Sequence, residues 1–196
     1  MKSLIRRAYA RILRAFGLKR QGWDIRYEDR VLWRRTRDPS DLTRIAELSR
    51  GGNLLEFGCG EGDLIHFLPP GSFSEYMGID ISEVAIQRAH ARAVDAGINN
   101  CHFHQGDMAK WNDFFSASLI LVEECLYYLS PREIEIFLSH CCCNLSYDGV
   151  ILVIVHDAYK HSKTLNICRC VCRVLNEERL GPRALLTLAP KSSGRV

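Results

Sequence analysis

From residue 40 onward, short apolar segments alternate with longer amphipathic ones, and this alternation restricts the fold more than any other feature of the chain. Segments with strand character span residues 53–57, 76–80, 101–105, 118–122 and 150–155. The last of them is a continuous apolar run, which is typical of a strand buried on both faces. Strands separated by helices predict a parallel, doubly wound sheet. We therefore expect an α/β fold with a mostly parallel sheet.

Capping residues mark the helices between these strands. Ser82 is a predicted N-cap, and Ser130 forms a capping box with Glu133. Further helices are predicted to start at Ser40 or Asp41 and at Asp63, the latter ending at the proline pair 69–70.

A glycine-rich turn follows the first strand, and acidic residues follow the next two. Glycine at positions 58, 60 and 62 allows the backbone to turn sharply and to approach a ligand closely. Asp80 ends the second strand, where a carboxylate can accept both hydroxyls of a ribose. Asp107 and Met108 follow the third strand, where they can meet an adenine ring. Because ligands bind beyond the carboxyl ends of such strands, these residues predict a nucleoside site.

This arrangement resembles the motifs of class I S-adenosylmethionine-dependent methyltransferases over about residues 50–157. A dinucleotide fingerprint needs Gly or Ala at position 63, where this chain has Asp63. The resemblance implies a Rossmann-like fold of that class with S-adenosylmethionine as cofactor. The residues implied to bind it are Glu56, Gly58 and Gly60 at the methionine moiety, Asp80 at the ribose, and Ile81, Asp107 and Met108 at the adenine. The alternatives are NAD(P) binding and a structural α/β domain whose turn merely needs glycine.

A second, shorter resemblance lies in residues 123–129, whose sequence is EECLYYL. It is similar to the E-x-L-Y-Y-L stretch of nodulation-type N-methyltransferases, which methylate an amino sugar on a chitooligosaccharide. Trp23, Asp24 and Tyr27 are loosely similar to the entry segment of that family. The alternative is that the two tyrosines, Tyr127 and Tyr128, begin the packing of the next helix.

The resemblance implies an enzyme that transfers a methyl group to a small polar acceptor, which we expect to be an amine. An amine must be neutral to attack a sulfonium methyl group, so a carboxylate or a histidine that takes its proton assists the reaction. The predicted catalytic residues are Glu124, Tyr128 and His156, although each also fits a polar residue satisfied at a strand end. The alternative function is a methyltransferase-like binding or regulatory module that holds the cofactor without turnover.

The C-terminal part of the chain keeps this alternative open. Residues 165–175 predict a helix, and only residues 184–188 after it have strand character. Methyltransferases of this class complete a seven-stranded sheet with a C-terminal strand pair, and here the pair is predicted to be incomplete. An unpaired sheet edge is a template for association, so we expect a marginal fold or a dimer along that edge.

The charge of the chain is unevenly distributed. Seven of its 26 basic residues, and none of its 23 acidic ones, fall within residues 1–20. The remainder is mildly acidic, which argues against a nucleic-acid-binding surface. Residues 1–18 predict a basic amphipathic helix that fits peripheral membrane contact, a lid on its own domain, or a transit peptide. We divide the chain into an N-terminal helix and lid segment, 1–39, and a methyltransferase domain, 40–196.

The nine cysteines form no metal or disulfide pattern. There is no C-x-x-C pair and no histidine at ligand spacing, so no metal site is predicted. The chain shows no secretory signal, and a domain of this size builds a core without disulfides. We expect the cysteines to be small buried hydrophobes in a cytoplasmic protein, whose oligomeric state the sequence leaves open.

Overall fold

The computed structural model describes residue 13 and residues 18–29, 38–113 and 115–191. The amphipathic helix predicted for residues 1–18, with its membrane contact, lies outside the described residues except at positions 13 and 18. None of the helices in the described ranges is long and apolar enough to cross a membrane.

Helices and strands alternate through most of the described chain. The helices are α1 (Lys19–Glu28), α2 (Pro39–Ser49), α3 (Glu83–Asp95), α4 (Pro131–Cys143) and α5 (Ser162–Val171). The strands are β1 (Leu54–Phe57), β2 (Tyr76–Asp80), β3 (Cys101–Gln105), β4 (Ala117–Glu123), β5 (Leu145–Val155), β6 (Arg173–Leu180) and β7 (Arg183–Ala189). Short 3₁₀ turns occupy Leu64–His66 and Leu126–Tyr128.

The strands form one seven-stranded sheet in the order β3-β2-β1-β4-β5-β7-β6. The first five strands pair in parallel, and β7 runs antiparallel to both of its neighbours. This confirms the predicted α/β fold with a doubly wound, mostly parallel sheet. The chain moves outward from β1 to β3 and then returns to β4, so the strand order reverses between β1 and β4. A crevice at the carboxyl ends of the strands is expected at that point.

The core lies on both faces of the sheet because successive residues of a buried strand point in opposite directions. In β4, Leu119 and Leu121 pack in a cluster with side chains of α2 and α3. Ile120 and Val122 join a second cluster that includes side chains of α4 and α5. Helices α2 and α3 therefore cover one face of the sheet, and α4 and α5 cover the other. The carboxyl ends of the strands are left to the loops.

Two helices start at the predicted N-cap residues, and a third starts at a neighbouring residue. Ser82 accepts a hydrogen bond from the amide of Ala85, and Ser130 and Glu133 form the predicted capping box. The α2 cap is Asp38, not Ser40 or Asp41, since the carboxylate of Asp38 accepts a hydrogen bond of 2.9 Å from the amide of Ser40.

The helix predicted from Asp63 to the proline pair is wrong, because the structure has only the short turn Leu64–His66 there. Proline disfavours the helical conformation of the residue before it. The glycine turn ends at Gly62, so too few residues remain before Pro69 for a regular helix.

The predicted incomplete C-terminal strand pair is also wrong. The predicted helix 165–175 ends at Val171, and β6 begins at Arg173 and pairs with β7 along its length. A two-residue turn joins them, with Gly181 in the left-handed conformation at φ 62°. The β6 sequence RVLNEERL lacks an apolar alternation because an edge strand buries little of its surface. The completed sheet removes the reason for expecting a marginal fold.

The edge of the sheet at β6 carries charge. Glu177 accepts two hydrogen bonds from the guanidinium of Arg169, at 3.0 and 2.8 Å, and one from Arg179 at 2.9 Å. Glu178 forms an ion pair with Arg44 of α2. Charged side chains on an edge strand oppose pairing with a second sheet, so the expectation of a poorly protected edge is wrong.

All nine cysteines lie in the described residues and have free thiols. The prediction of buried hydrophobes is correct for four of them, which are Cys59, Cys141, Cys168 and Cys172. It is wrong for Cys143 and Cys170, which are exposed, and the other three are half-buried.

Candidate active site

The glycine turn lies at the point where the strand order reverses, directly after β1. Gly58 and Gly60 have φ values of 74° and 57°, a region that favours glycine. A Cβ on Gly58 would lie 3.0 Å from the thiol of Cys125, and one on Gly60 would lie 2.9 Å from the hydroxyl of Tyr27. The turn is therefore enclosed between the loop after β4 and helix α1.

Asp80 connects the glycine turn to the start of α3. Its side chain is buried, and its two oxygens accept hydrogen bonds from the amides of Gly60 at 3.0 Å and Ser82 at 2.9 Å. Burial raises the pKa of Asp80 to about 6, and the two amide hydrogen bonds oppose this shift. The carboxylate is thus held in one orientation at the end of β2.

Glu56 is a second buried acid beside the turn. It lies within β1, and its carboxylate accepts a hydrogen bond of 2.6 Å from the hydroxyl of Tyr76. The negative charge of Glu56 contributes to the raised pKa of Asp80, so the two carboxylates interact. The two carboxylates therefore place negative charge at the carboxyl ends of β1 and β2, next to the start of α3.

The loop after β3 completes this part of the site. The amide of Gly106 donates to the backbone carbonyl of Asp80 at 2.9 Å, and the side chain of Gln105 donates to the carbonyl of Ile81 at 3.2 Å. The carboxylate of Asp107 accepts the amide of Ala109 at 3.0 Å. Met108 packs half-buried against the core.

The structure thus brings all the predicted cofactor residues to the carboxyl ends of β1, β2 and β3. These residues are Glu56, Gly58, Gly60, Asp80, Ile81, Asp107 and Met108.

Glu124 follows β4 in the left-handed conformation, with φ 57°. Its carboxylate accepts the amide of His156 at 2.7 Å and the hydroxyl of Tyr127 at 2.9 Å. Its own amide donates to the carbonyl of Ile154 at 3.0 Å. A residue other than glycine is strained in this conformation, and these three hydrogen bonds hold it there.

A group of aromatic rings lies beside Glu124, which contacts it through Tyr127. The ring of Tyr127 stacks on His161 with centroids 3.7 Å apart, and burial raises the pKa of its hydroxyl. Tyr128 packs against Tyr127 and meets Trp23 of α1 edge to face, at 4.8 and 5.2 Å between centroids. An aromatic surface therefore covers one side of the carboxylate.

The predicted catalytic residues are brought together to different degrees. Glu124 and His156 are joined by a hydrogen bond, and the imidazole of His156 lies 3.8 Å from the carboxylate of Glu123. Tyr128 reaches this group only through Tyr127, and its side chain is 45% exposed.

The site has two halves, the glycine turn with its acids and the loop after β4 with its aromatic rings, and these lie next to each other. The thiol of Cys125 donates to the carbonyl of Phe57 at 3.2 Å, which places the loop after β4 directly on the glycine turn. Helix α1 contacts both halves, since Trp23 meets Tyr128 and Tyr27 meets Gly60. Within the described residues, no cluster of three or more His, Cys, Asp or Glu side chains could hold a metal ion.

Sequence reasoning missed two residues of this site, His161 and Trp111, and the contact that Asp24 of the entry segment makes. Asp24 accepts the hydroxyl of Ser82 at 2.6 Å, and His161 supports Tyr127. Trp111 packs on Gly106, where a Cβ would lie 2.5 Å from its ring. The glycine before Asp107 was a signal for a close neighbour, but nothing local indicated which residue it would be.

The Methyltransferase domain family matches residues 48–182 of this chain. No curated protein matches the sequence significantly. Similar solved structures include the N-methyltransferase NodS of Bradyrhizobium japonicum WM9 in complex with S-adenosyl-L-homocysteine. It is 20% identical over 81% of this chain and 91% of its own, with a TM-score of 0.65.

Two other solved structures share the fold but differ in the acceptor named for them. The O-methyltransferase NcsB1 of neocarzinostatin biosynthesis, in complex with S-adenosylmethionine and a naphthoic acid, is 14% identical over 96% of this chain and 68% of its own, with a TM-score of 0.63. The ribosomal protein L11 methylase of Lactobacillus delbrueckii subsp. bulgaricus is 16% identical over 77% of this chain and 79% of its own, with a TM-score of 0.59. At such identities the likeness shows the fold and leaves the acceptor open.

The family match covers more than half of the chain and contains the glycine turn, the acid that ends β2 and the loop after β4. The chain therefore belongs to the methyltransferase-domain family and is a class I S-adenosylmethionine-dependent methyltransferase.

Proposed function

We propose that this enzyme transfers the methyl group of S-adenosylmethionine to an amine on a small polar acceptor. The observation that carries the proposal is Glu124, whose carboxylate accepts the hydroxyl of Tyr127 in a loop that lies against the glycine turn. The neighbouring acid, Glu123, lies 3.8 Å from the imidazole of His156. Acids next to aromatic faces suit a cationic amine, because both attract positive charge. The N-methyltransferase activity named for NodS supports the same choice.

The cofactor residues have proposed roles that follow from their positions. Asp80 binds the ribose hydroxyls, and Glu56 meets the ammonium of the methionine moiety. Gly58 and Gly60 let the backbone approach the cofactor closely. Ile81 packs on the adenine, and Asp107 and Met108 lie at its edge. In support, these residues lie at the carboxyl ends of β1, β2 and β3, next to the point where the strand order reverses.

Glu124 has the contacts of a positioned proton acceptor. A carboxylate offers about four lone-pair sites, and two of those on Glu124 are occupied by the amide of His156 and the hydroxyl of Tyr127. The remaining sites are available for a proton of the acceptor ammonium. The amine must lose this proton before it attacks the sulfonium methyl group in line. His156 lies next to both acids and extends the proton path, and Tyr128 lines the acceptor side.

The acceptor class is tested with matched pairs of compounds that differ only in an amine or a hydroxyl at one position, such as D-glucosamine and D-glucose. Turnover is followed as production of S-adenosylhomocysteine. We expect turnover with the amine to exceed that with the alcohol by at least about tenfold, because a site built to pair with N–H groups discriminates against their replacement. Activity confined to hydroxyl acceptors would overturn the amine assignment.

The affinity for S-adenosylhomocysteine should depend on pH through Asp80. Burial, together with the charge of Glu56, raises the pKa of Asp80 to about 6, while hydrogen bonds from Gly60, Ser82 and Tyr27 lower it. Ribose hydroxyls donate to the ionised carboxylate, so binding is strong above pH 6 and weakens as the pH falls below it. Calorimetry is expected to show a constant affinity between pH 7 and 8 and a loss of about tenfold at pH 5.

The control for this pH dependence is Asp80→Asn, which has no titrating carboxylate at this position. Its affinity should be lower than that of wild type but nearly constant over the same pH range. An equal slope in the two proteins would assign the titration to another group, such as Glu56.

A further inference from the structure

Hydrogen bonds hold helix α1 against the start of α3, next to the site. Asp24 accepts the hydroxyl of Ser82 at 2.6 Å and the amide of Val84 at 3.4 Å. Arg88 of α3 donates to the carbonyl of Tyr27 at 2.8 Å. The last turns of α1 are therefore held against the start of α3, which follows directly after Asp80.

The hydroxyl of Tyr27 reaches the glycine turn from this helix. It lies 2.9 Å from the point that a Cβ on Gly60 would occupy, and it makes a hydrogen bond to the carboxylate of Asp80. The amide of Gly60 donates to that same carboxylate. Tyr27 thus occupies the face of the turn that the glycines leave open.

The acceptor sites on Asp80 are limited in number. A carboxylate accepts about four hydrogen bonds, and the amides of Gly60 and Ser82 use two of them. Tyr27 uses a third. A ribose diol that binds through both hydroxyls needs two, so the diol and Tyr27 together require more sites than the carboxylate has left.

We propose that the hydroxyl of Tyr27 competes with the cofactor ribose for Asp80, so that α1 acts as a gate that the cofactor must displace. The proposal rests on the proposed role of Asp80 in ribose binding. Trp23 lies one helical turn before Tyr27, on the same face of α1, and meets Tyr128 on the acceptor side. Displacement of Tyr27 by the cofactor therefore also shifts the aromatic surface against which the acceptor is held.

The test is the affinity of Tyr27→Phe for S-adenosylhomocysteine, measured by calorimetry at pH 7.5. Removing the competing hydroxyl is expected to increase the affinity about fivefold, the equivalent of one hydrogen bond. Tyr147→Phe is the matched control, because Tyr147 is fully exposed near the start of β5, and its affinity should equal that of wild type. An unchanged or weaker affinity in Tyr27→Phe would overturn the proposal. A weaker affinity would show that Tyr27 is a ligand of the cofactor.

A double-mutant cycle separates this proposal from the role of Asp80. In an Asp80→Asn background, Tyr27→Phe should no longer increase the affinity, because the shared carboxylate is absent. If Asp80→Asn alone binds as tightly as wild type, the ribose role of Asp80 fails. If Asp80→Asn weakens binding but Tyr27→Phe does not strengthen it, only the competition fails. Thermal unfolding of each variant shows whether the affinities refer to folded protein.

Discussion

Asp80→Ala is expected to weaken binding of S-adenosylhomocysteine by about 1–3 kcal/mol, or about 5- to 150-fold. The change leaves the ribose hydroxyls without an acceptor in a buried site. It also frees the amides of Gly60 and Ser82, which the carboxylate now orients, so the glycine turn loses its link to α3. Calorimetry at pH 7.5 measures the loss, where the carboxylate of the wild type is ionised.

Two further variants make this result interpretable. Asp148→Ala removes an exposed acid near the start of β5, at the opposite end of the strands, and should bind as tightly as wild type. Asp80→Asn keeps the shape of the side chain and should still lose affinity. Its NH2 group cannot accept one of the two amides of Gly60 and Ser82, so its melting temperature is measured as well, to show that the affinity refers to folded protein. Full affinity in both Asp80 variants would contradict the ribose role.

Glu124→Gln is expected to lower turnover with an amine acceptor by about 100-fold or more, the contribution typical of a positioned general base. Its affinity for S-adenosylhomocysteine should remain close to that of wild type. A glutamine keeps the shape, because its carbonyl can accept the amide of His156 while its amide group donates to the hydroxyl of Tyr127. The substitution therefore removes the proton acceptor without removing the contacts that hold the loop.

The matched control is Glu47→Gln, on the exposed side of α2 and away from the strand ends, and its turnover should be unchanged. Turnover is measured by initial rates of S-adenosylhomocysteine production at saturating cofactor. Equal rates for wild type and Glu124→Gln across amine acceptors would remove Glu124 from the mechanism. A parallel loss of cofactor affinity would instead indicate that the loop has moved.

The parts of the fold that were predictable from sequence are those in which local pattern and burial agree. The apolar run at 150–155 and the capping box of Ser130 are examples, since each follows from residues next to one another in the chain. The glycine turn and Asp80 were identifiable for the same reason, because a strand followed by its binding residue is a local arrangement. The largest failure lies at the edge of the sheet, in β6, whose exposed charged residues carry no pattern of burial. The helix predicted from Asp63 failed because the glycine turn and Pro69 leave too few residues between them.

The surroundings of Glu124 were not predictable from sequence, because they depend on contacts between segments that are far apart in the chain. Glu124 was recognisable as an acid after a strand, but its left-handed conformation and its bond to His156 arise from β5 alongside it. The stack of Tyr127 on His161 joins two loops that are separated in the chain by α4 and β5. No spacing in the sequence indicates such pairs.

The sequence by itself determined the class of fold, the cofactor turn and the acids that end the strands, because each depends on residues within one strand–turn–helix unit. Only the tertiary structure decided that the sheet is complete, that Glu124 is held by Tyr127 and His156, and that Tyr27 reaches Asp80. The physical reason is that hydrogen bonds and ring contacts between remote segments exist only after packing has brought their strands and helices together. The Asp24–Ser82 hydrogen bond, which helps to place Tyr27 over the glycine turn, is such a contact.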